Sequence, residues 1–187
     1  MILFHGSKTP NIKVLKPNVS NHKLPLVYFS QKRENTLVYL SNAIEKLCRQ
    51  NGRLFDKYYT WASYGFDSNG KLRVEEYYPN ATEETYGGES GYIYTVKTEK
   101  VTPQKDIPYA FVSENPVEVC GCEFVPDAYE AILQAEKQGL LSILRYEQLT
   151  EKHKIALQKT ITAEYNGDIS PDYKYFLESK FDFLKSE

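Results

Sequence analysis

The chain has 187 residues, within the roughly 100–200 of a single domain, and a chain of that length buries about 70% of its unfolded surface without needing disulfides or a structural metal. Lys and Arg number 23 and Asp and Glu 25, a net charge of −2, which excludes a global electrostatic drive onto nucleic acid or an anionic membrane. Tyr is the outlier: sixteen Tyr against nine Phe and one Trp make much of the apolar content amphipathic, with rings that pack and hydroxyls that need partners.

Such a composition predicts a β-containing globular fold with polar clefts. No stretch approaches about 18 consecutive apolar residues, and the opening MILFHGSK is too short for the apolar core of a signal peptide. The expectation is a cytoplasmic protein with no membrane partner. Three Cys fit a reducing compartment. Cys120 and Cys122 lie on one face of any strand but lack a second ligand pair, so they read as two small buried residues and no metal site is expected.

Met1 to Phe4 is a short apolar run, and His5-Gly6-Ser7 predicts that this opening strand ends in a turn. Residues 8–25 carry Pro10, Pro17 and Pro25 and predict a loop or wandering edge segment. Leu26 to Ser30 is a strand by its β-branched and aromatic content. From Arg33 to Arg49, Leu37, Leu40, Ala43, Ile44 and Leu47 recur at spacings of three and four, the period of an amphipathic helix; Asn51-Gly52 closes it. Tyr58 to Phe66 and Lys71 to Tyr77, joined by Asp67-Ser68-Asn69-Gly70, predict a β-hairpin with Leu72 and Val74 on one face.

Pro79 to Tyr86 fits a short helix broken by Gly87-Gly88, and Gly91 to Val96, 108–113 and 117–125 fit three strands. Asp127 caps a helix bearing Ala128, Ile132 and Ala135 that ends at Gly139, and Leu140 to Tyr146 is a last short strand. Thr150-Glu151 opens a helix to about Tyr165, and residues 170–187 form a final helix striped with Tyr173, Phe176, Leu177, Phe181 and Leu184. The fold class is α+β, with antiparallel strands in front and helices toward the C-terminal end. A core over 1–126 carries a mainly helical extension over 127–187, packed on the same domain.

Rossmann and P-loop glycine motifs are absent, as are a serine nucleophile elbow and a His-Glu-x-x-His sequence. Tyr58, Tyr59, Trp61 and Tyr64 around Lys57 have the composition of a base-stacking surface, but a hairpin packing its aromatic rings needs the same residues, and packing is the expectation. Glu75, Glu76, Glu83, Glu84 and Glu89 make the middle acidic and argue against phosphate contacts there; His153 and Lys154 fall on a polar helix face.

Two segments carry more. His5-Gly6-Ser7, then Tyr28-Phe29-Ser30, then Tyr39 eleven positions after Tyr28, resemble the signature of ADP-ribosyltransferases of the diphtheria-toxin and poly(ADP-ribose)-polymerase type. That pattern is a His-Gly-Ser/Thr on the first strand, a Tyr-Phe-Ala/Ser strand, and a second Tyr on the following helix. The resemblance covers residues 3–40. Residues 41–187 are similar to a group of bacterial proteins without an assigned activity that share this opening, a Gly-Phe-Asp-x-x-Gly turn like 65–70 and a Gly-Tyr-x-Tyr strand like 91–94. The family resemblance implies split, mostly antiparallel sheets around an NAD cleft, with NAD as substrate and transfer of ADP-ribose to an unidentified acceptor, protein or nucleic acid, or NAD hydrolysis.

In NAD⁺ the nicotinamide is a flat cation whose departure leaves an oxocarbenium-like ribose, so a site must grip the ring and stabilise developing positive charge. The resemblance implies that Tyr28 and Tyr39 sandwich the ring, a cation–π and stacking contribution of roughly 0.5–2 kcal/mol. It likewise implies that Gly6 offers its backbone to the carboxamide, that Ser7 adds a hydroxyl, that His5 bonds the adenosine ribose, and that Ser30 belongs to the binding motif. The catalytic set that the resemblance implies is His5, Tyr28 and an acid. Glu123, in Cys122-Glu123-Phe124-Val125, is similar in setting to the family's Glu-Tyr-Ile/Val run. Glu114 and Glu118 compete with it. Alternation puts Glu118 and the Cys pair on one face and Glu123 on the other, unless Gly121 inserts a bulge.

Two other readings stay open. RNA 2′-phosphotransferases use NAD⁺ on a related fold, but that chemistry resembles an Arg-rich site and few Arg lie near these motifs. A catalytically silent module keeping the cleft to bind a nucleotide or protein is the alternative from another class, and the presence of an acid beside the cleft distinguishes the two.

Overall fold

The computed structural model describes residues 1–19, 24–55 and 63–185. In chain order its first half holds β1 (Ile2–Ser7), β2 (Val14–Leu15), β3 (Asn18–Val19), β4 (Pro25–Ser30), a 3₁₀ helix (Glu34–Tyr39), α1 (Ala43–Gln50), β5 (Tyr64–Phe66), β6 (Leu72–Glu75) and α2 (Ala81–Tyr86). Its second half holds β7 (Gly91–Lys97), β8 (Thr102–Pro103), β9 (Ala110–Ser113), β10 (Val117–Glu118), β11 (Gly121–Val125), α3 (Ala128–Lys137), β12 (Ser142–Leu144), α4 (Glu151–Tyr165) and α5 (Pro171–Lys180). The fold is α+β. One sheet runs β11-β7-β1-β4-β9-β8 with β3 also on β4, and β2 pairs β10 separately. A third, three-stranded sheet runs β12-β6-β5, in which β12 lies parallel to β6.

The His5-Gly6-Ser7 triplet does not turn; it continues β1. The reason is β7, which pairs with all of β1 from Ile2 opposite Lys97 to Ser7 opposite Tyr92, so cross-strand hydrogen bonds hold extended what local propensity would bend. On the other side β1 and β4 share one register pair, Phe4 opposite Ser30. Facing residues of a ladder share a side of the sheet. Phe4, Gly6, Tyr28 and Ser30 therefore point to one face, and Leu3, Val27 and Phe29 to the other, where they join Tyr94 and Val96 in a buried cluster.

The single helix expected over Arg33 to Arg49 is two. The first, 34–39, is a 3₁₀ turn with Thr36 N–H bonded to the Arg33 carbonyl at 3.0 Å. Asn42 then turns extended, and its side chain accepts from the N–H groups of Ile44 and Glu45 at 3.0 and 3.3 Å, so a capping residue begins α1 afresh. The hairpin forms as β5 and β6, its turn closed by Asp67 Oδ1 accepting from Asn69 and Lys71 N–H, both at 2.9 Å, and by Gly70 at a φ of 74°. Its expected residues 58–62 lie outside the described ones. The strand over 117–125 breaks in two: Cys120 N–H donates to the Thr95 carbonyl while Gly121 holds the register position opposite Thr95, a bulge at the place where Gly121 allows one. Cys120 and Cys122 are exposed rather than buried, because one lies just before and the other on β11, an edge strand. The segment 8–25 carries two short strands, and the last helix stops at Lys180 where Phe181 becomes extended, with a 3₁₀ turn over Asp182–Lys185 beyond it.

Residues on both sides of position 126 fill the same cores. Leu37, Val38 and Leu40 of the 3₁₀ segment pack with Leu72, Val74, Ile93 and, from α3 and β12, Ile132 and Ile143. Ile44 and Cys48 of α1 pack with Ile161, Tyr173, Phe176 and Leu177 of α4 and α5. Asp127 caps α3 by accepting from Tyr129 and Glu130 N–H and also holds Gly88 N–H at 2.8 Å. Among the described residues no helix is long and apolar enough to cross a membrane.

Phe176 of α5 is fully buried in the cluster it shares with α1, so Phe176→Ala should lower unfolding free energy by about 3–5 kcal/mol in a urea titration. A loss below about 1 kcal/mol would mean that α5 docks loosely.

Candidate functional site

Where β1 and β4 part, a cavity of about 590 Å³ opens beside Gly6. β1 contributes Phe4, His5 and Gly6, and β4 contributes Tyr28, Phe29 and Ser30. The 3₁₀ helix and the start of α1 add Asn35, Thr36, Tyr39, Asn42 and Glu45, the hairpin adds Tyr64, Phe66 and Leu72, and Ile107 and Pro108 close one side. The hairpin turn packs on that last wall, since a Cβ at Gly70 would stand 3.1 Å from Pro108.

His5 bridges the parting strands. Its Nδ1 lies 2.8 Å from the Tyr28 carbonyl oxygen; a carbonyl only accepts, so Nδ1 carries the proton and Nε2 keeps the lone pair. Burial pushes the imidazole below its ordinary value of 6.5, against the opposing pull of the Tyr28 hydrogen bond, so the ring is neutral. Its edge also meets Phe29, with centroids 6.2 Å apart.

Gly6 is required by a close approach. A Cβ there would meet the Thr36 backbone oxygen at 2.4 Å, so only a residue without a side chain lets the 3₁₀ helix lie on β1. Thr36 is held in turn by its hydroxyl donating to the Arg33 carbonyl at 2.7 Å. At the far end of the same helix Tyr39 enters the cavity, half-exposed, and meets Tyr64 edge to face with centroids 6.0 Å apart. The Tyr64 hydroxyl donates to the Tyr39 hydroxyl at 3.0 Å. Burial raises the pKa of both phenols, Tyr64 further than Tyr39, so both stay neutral.

Of the residues expected from sequence, His5, Gly6, Tyr28, Ser30 and Tyr39 come together in this cavity, and Ser7 does not line it. Ser7 shares the His5 side of β1, and its Oγ accepts from Thr9 N–H at 3.1 Å. Ser30 Oγ is likewise engaged locally, accepting from Lys32 N–H at 3.0 Å. Glu123 lies opposite Ile93, which lies opposite Gly6, so it shares the cavity's face of the sheet two strands away. It is outside the cavity lining, however, and both its carboxylate oxygens accept from Arg33, Oε2 from Nε at 2.8 Å. That guanidinium holds the Glu123 carboxyl below the usual carboxylate range. Glu114 and Glu118 are exposed and outside the lining, Glu118 paired in the separate β2–β10 ladder.

Sequence reasoning passed over Lys8, Asn35 and Glu45, which all line the cavity. Asn35 is nearly buried. No motif marks them, because their position depends on the 3₁₀ turn and on the restart of the helix at Asn42. Lys57, Tyr58, Tyr59 and Trp61 lie outside the described residues, whereas Tyr64 serves the cavity wall. A second cavity of about 590 Å³ lies between β6 and α4, but its carboxylates are already engaged. Glu75 accepts from Arg73 and Tyr77, Glu76 from Thr82 and Tyr146 N–H, and Glu164 from the Tyr173 hydroxyl. Among the described residues no group of three or more His, Cys, Asp or Glu is placed to hold a metal ion.

The chain matches no protein-family model, no curated protein and no solved structure.

The lowered His5 pKa gives stability a sign. Below about 6.5 the unfolded chain binds a proton that the folded chain refuses, so this contribution is present at neutral pH and is lost as pH falls from 6.5 through the folded value. His5→Asn keeps a donor near the Nδ1 position and removes the titration, so urea midpoints should fall less between about pH 7 and pH 5 in the variant than in wild type; equal slopes would show that His5 is not the group refused a proton. Gly6→Ala should cost about 1–3 kcal/mol by the same assay, because a backbone carbonyl must move.

Proposed function

We propose that the cavity binds NAD⁺ and that the protein cleaves the bond between nicotinamide and ribose, passing ADP-ribose to water or to an acceptor. The observation that carries this reading is the gathering of His5, Gly6, Tyr28, Ser30 and Tyr39 in one cavity, residues brought together from two strands and a helix terminus. On the same grounds we read the α+β fold as ADP-ribosyltransferase-like, with the divergence of β1 from β4 after Phe4 as its cleft.

The cavity's chemistry supports the assignment. Tyr28, Tyr39, Tyr64 and Phe66 offer π-faces to a cationic ring. Because β1 and β4 share no register pair beyond Phe4 and Ser30, the main chain around Gly6 borders the cleft, where it can serve a carboxamide as another peptide would. Neutral His5 turns its lone-pair nitrogen away from Tyr28 and can accept from a ribose hydroxyl. In the reaction the C1′–N bond breaks and its electron pair leaves with nicotinamide. Water or an acceptor hydroxyl forms the new bond to C1′ and gives up its proton to a carboxylate.

A second reading, a silent nucleotide-binding module, is favoured by one observation: Glu123, the acid expected from sequence, is closed into its pair with Arg33 and does not line the cavity.

Calorimetric titration with NAD⁺ and chromatographic assay of nicotinamide test both. Wild type should bind and release nicotinamide, and Tyr28→Ala should weaken binding roughly tenfold, as loss of a stacked ring worth about 1–3 kcal/mol implies. Binding without release supports the silent module, and no binding removes NAD⁺ from consideration.

A further inference from the structure

We infer that Glu45, at the start of α1, is the carboxylate that takes the proton from the attacking water, in place of Glu123. The inference rests on the NAD⁺-cleaving reading above. Among the described residues Glu45 is the one Asp or Glu in the cavity lining. No strand motif announces it; it arrives there because the helix restarts at Asn42, whose side chain accepts from Glu45 N–H at 3.3 Å and fixes the first turn.

Its surroundings leave the carboxylate able to accept. The nearest cation, Lys8, also lines the cavity, but Lys8 Nζ donates to Glu89 Oε2 at 3.0 Å and stands 3.8 Å from Glu45 Oε1, beyond a hydrogen bond. Glu89 is nearly buried and takes Arg49 as well, so it holds Lys8 more firmly than Glu45 does. Glu45 thus sits in the field of a cation that is committed elsewhere, with its side chain more than a third exposed. Glu123 is the opposite case: a two-pronged contact from Arg33 occupies both of its oxygens.

The platform beneath Glu45 is well packed. Ile44 and Cys48, its neighbours on α1, are fully buried against Phe176 and Leu177 of α5. A general base must be held by its scaffold rather than by a loop to meet a reacting water repeatedly.

The step balances as hydrolysis. The C1′–N bond breaks and the pair leaves on nicotinamide; the water oxygen bonds C1′; its proton passes to the Glu45 carboxylate and then to solvent.

The test compares four proteins, wild type, Glu45→Gln, Glu45→Ala and Glu123→Gln, for NAD⁺ binding by calorimetry and for nicotinamide release. Glu45→Gln should lose about 100-fold or more in turnover, the usual worth of a general base, while NAD⁺ affinity stays near wild type, which also shows that the variant folds. Glu123→Gln should retain turnover. Azide carries no proton to remove, so it should restore nicotinamide release to Glu45→Ala by bonding C1′ itself, a rescue that a merely structural role would not give. Wild-type turnover in Glu45→Gln, or no rescue by azide, overturns the assignment of Glu45 and leaves the NAD⁺ reading standing. Wild type that neither binds nor cleaves NAD⁺ overturns both.

Discussion

The 3₁₀ helix over 34–39 can lie on β1 only because Gly6 has no side chain, and most of the site follows from that contact. The Thr36 carbonyl occupies the space where any other residue would carry a Cβ. With the helix pressed onto the sheet there, Leu37, Val38 and Leu40 reach the core shared with Ile93 and Ile132, and Tyr39 emerges at the cavity. After Phe4 and Ser30 the strands β1 and β4 share no register pair, and His5 spans the gap with its hydrogen bond to Tyr28.

Charge is arranged around this contact in two separate networks. Arg33, just before the 3₁₀ helix, is tied to Glu123 on the edge strand β11. The pair is largely exposed, so its contribution to stability is small, about 0–1 kcal/mol. The second network joins Lys8 at the end of β1 to α1 and to the loop after α2 through Glu89 and Arg49. Lys46 of α1 is nearly buried and donates to the Gly87 carbonyl at 2.6 Å; burial lowers its pKa from the ordinary value, against the pull of Glu89 and Asp127. These contacts tie α1 to the loop after α2.

Much of the architecture follows from patterns of a few residues. Leu72 and Val74 alternate and are both buried; Asp127 and Thr150 cap the helices that follow them; Gly70 and Gly139 take left-handed conformations where turns end. These are local choices, settled by backbone sterics, side-chain capping and the period of apolar residues. Local preference gives way where it meets a non-local partner. His5-Gly6-Ser7 has the composition of a turn and is a strand because β7 pairs with it. Arg33 to Arg49 has the period of one helix and is two because Asn42 caps the second and the backbone of the first must fit Gly6.

The site divides along the same line. The resemblance carried by short motifs singled out His5, Gly6, Ser7, Tyr28, Ser30 and Tyr39, and all of them but Ser7 line the cavity. Which carboxylate accompanies them is a different kind of question. Glu45 and Glu123 are 78 positions apart, and nothing in either one's neighbours distinguishes a carboxylate that lines the cavity from one closed by Arg33. Chain composition and spacing specify what a residue is able to do. Whether an acid meets open space or a guanidinium depends on strand order and on the restart of a helix, which arise only when distant segments pack.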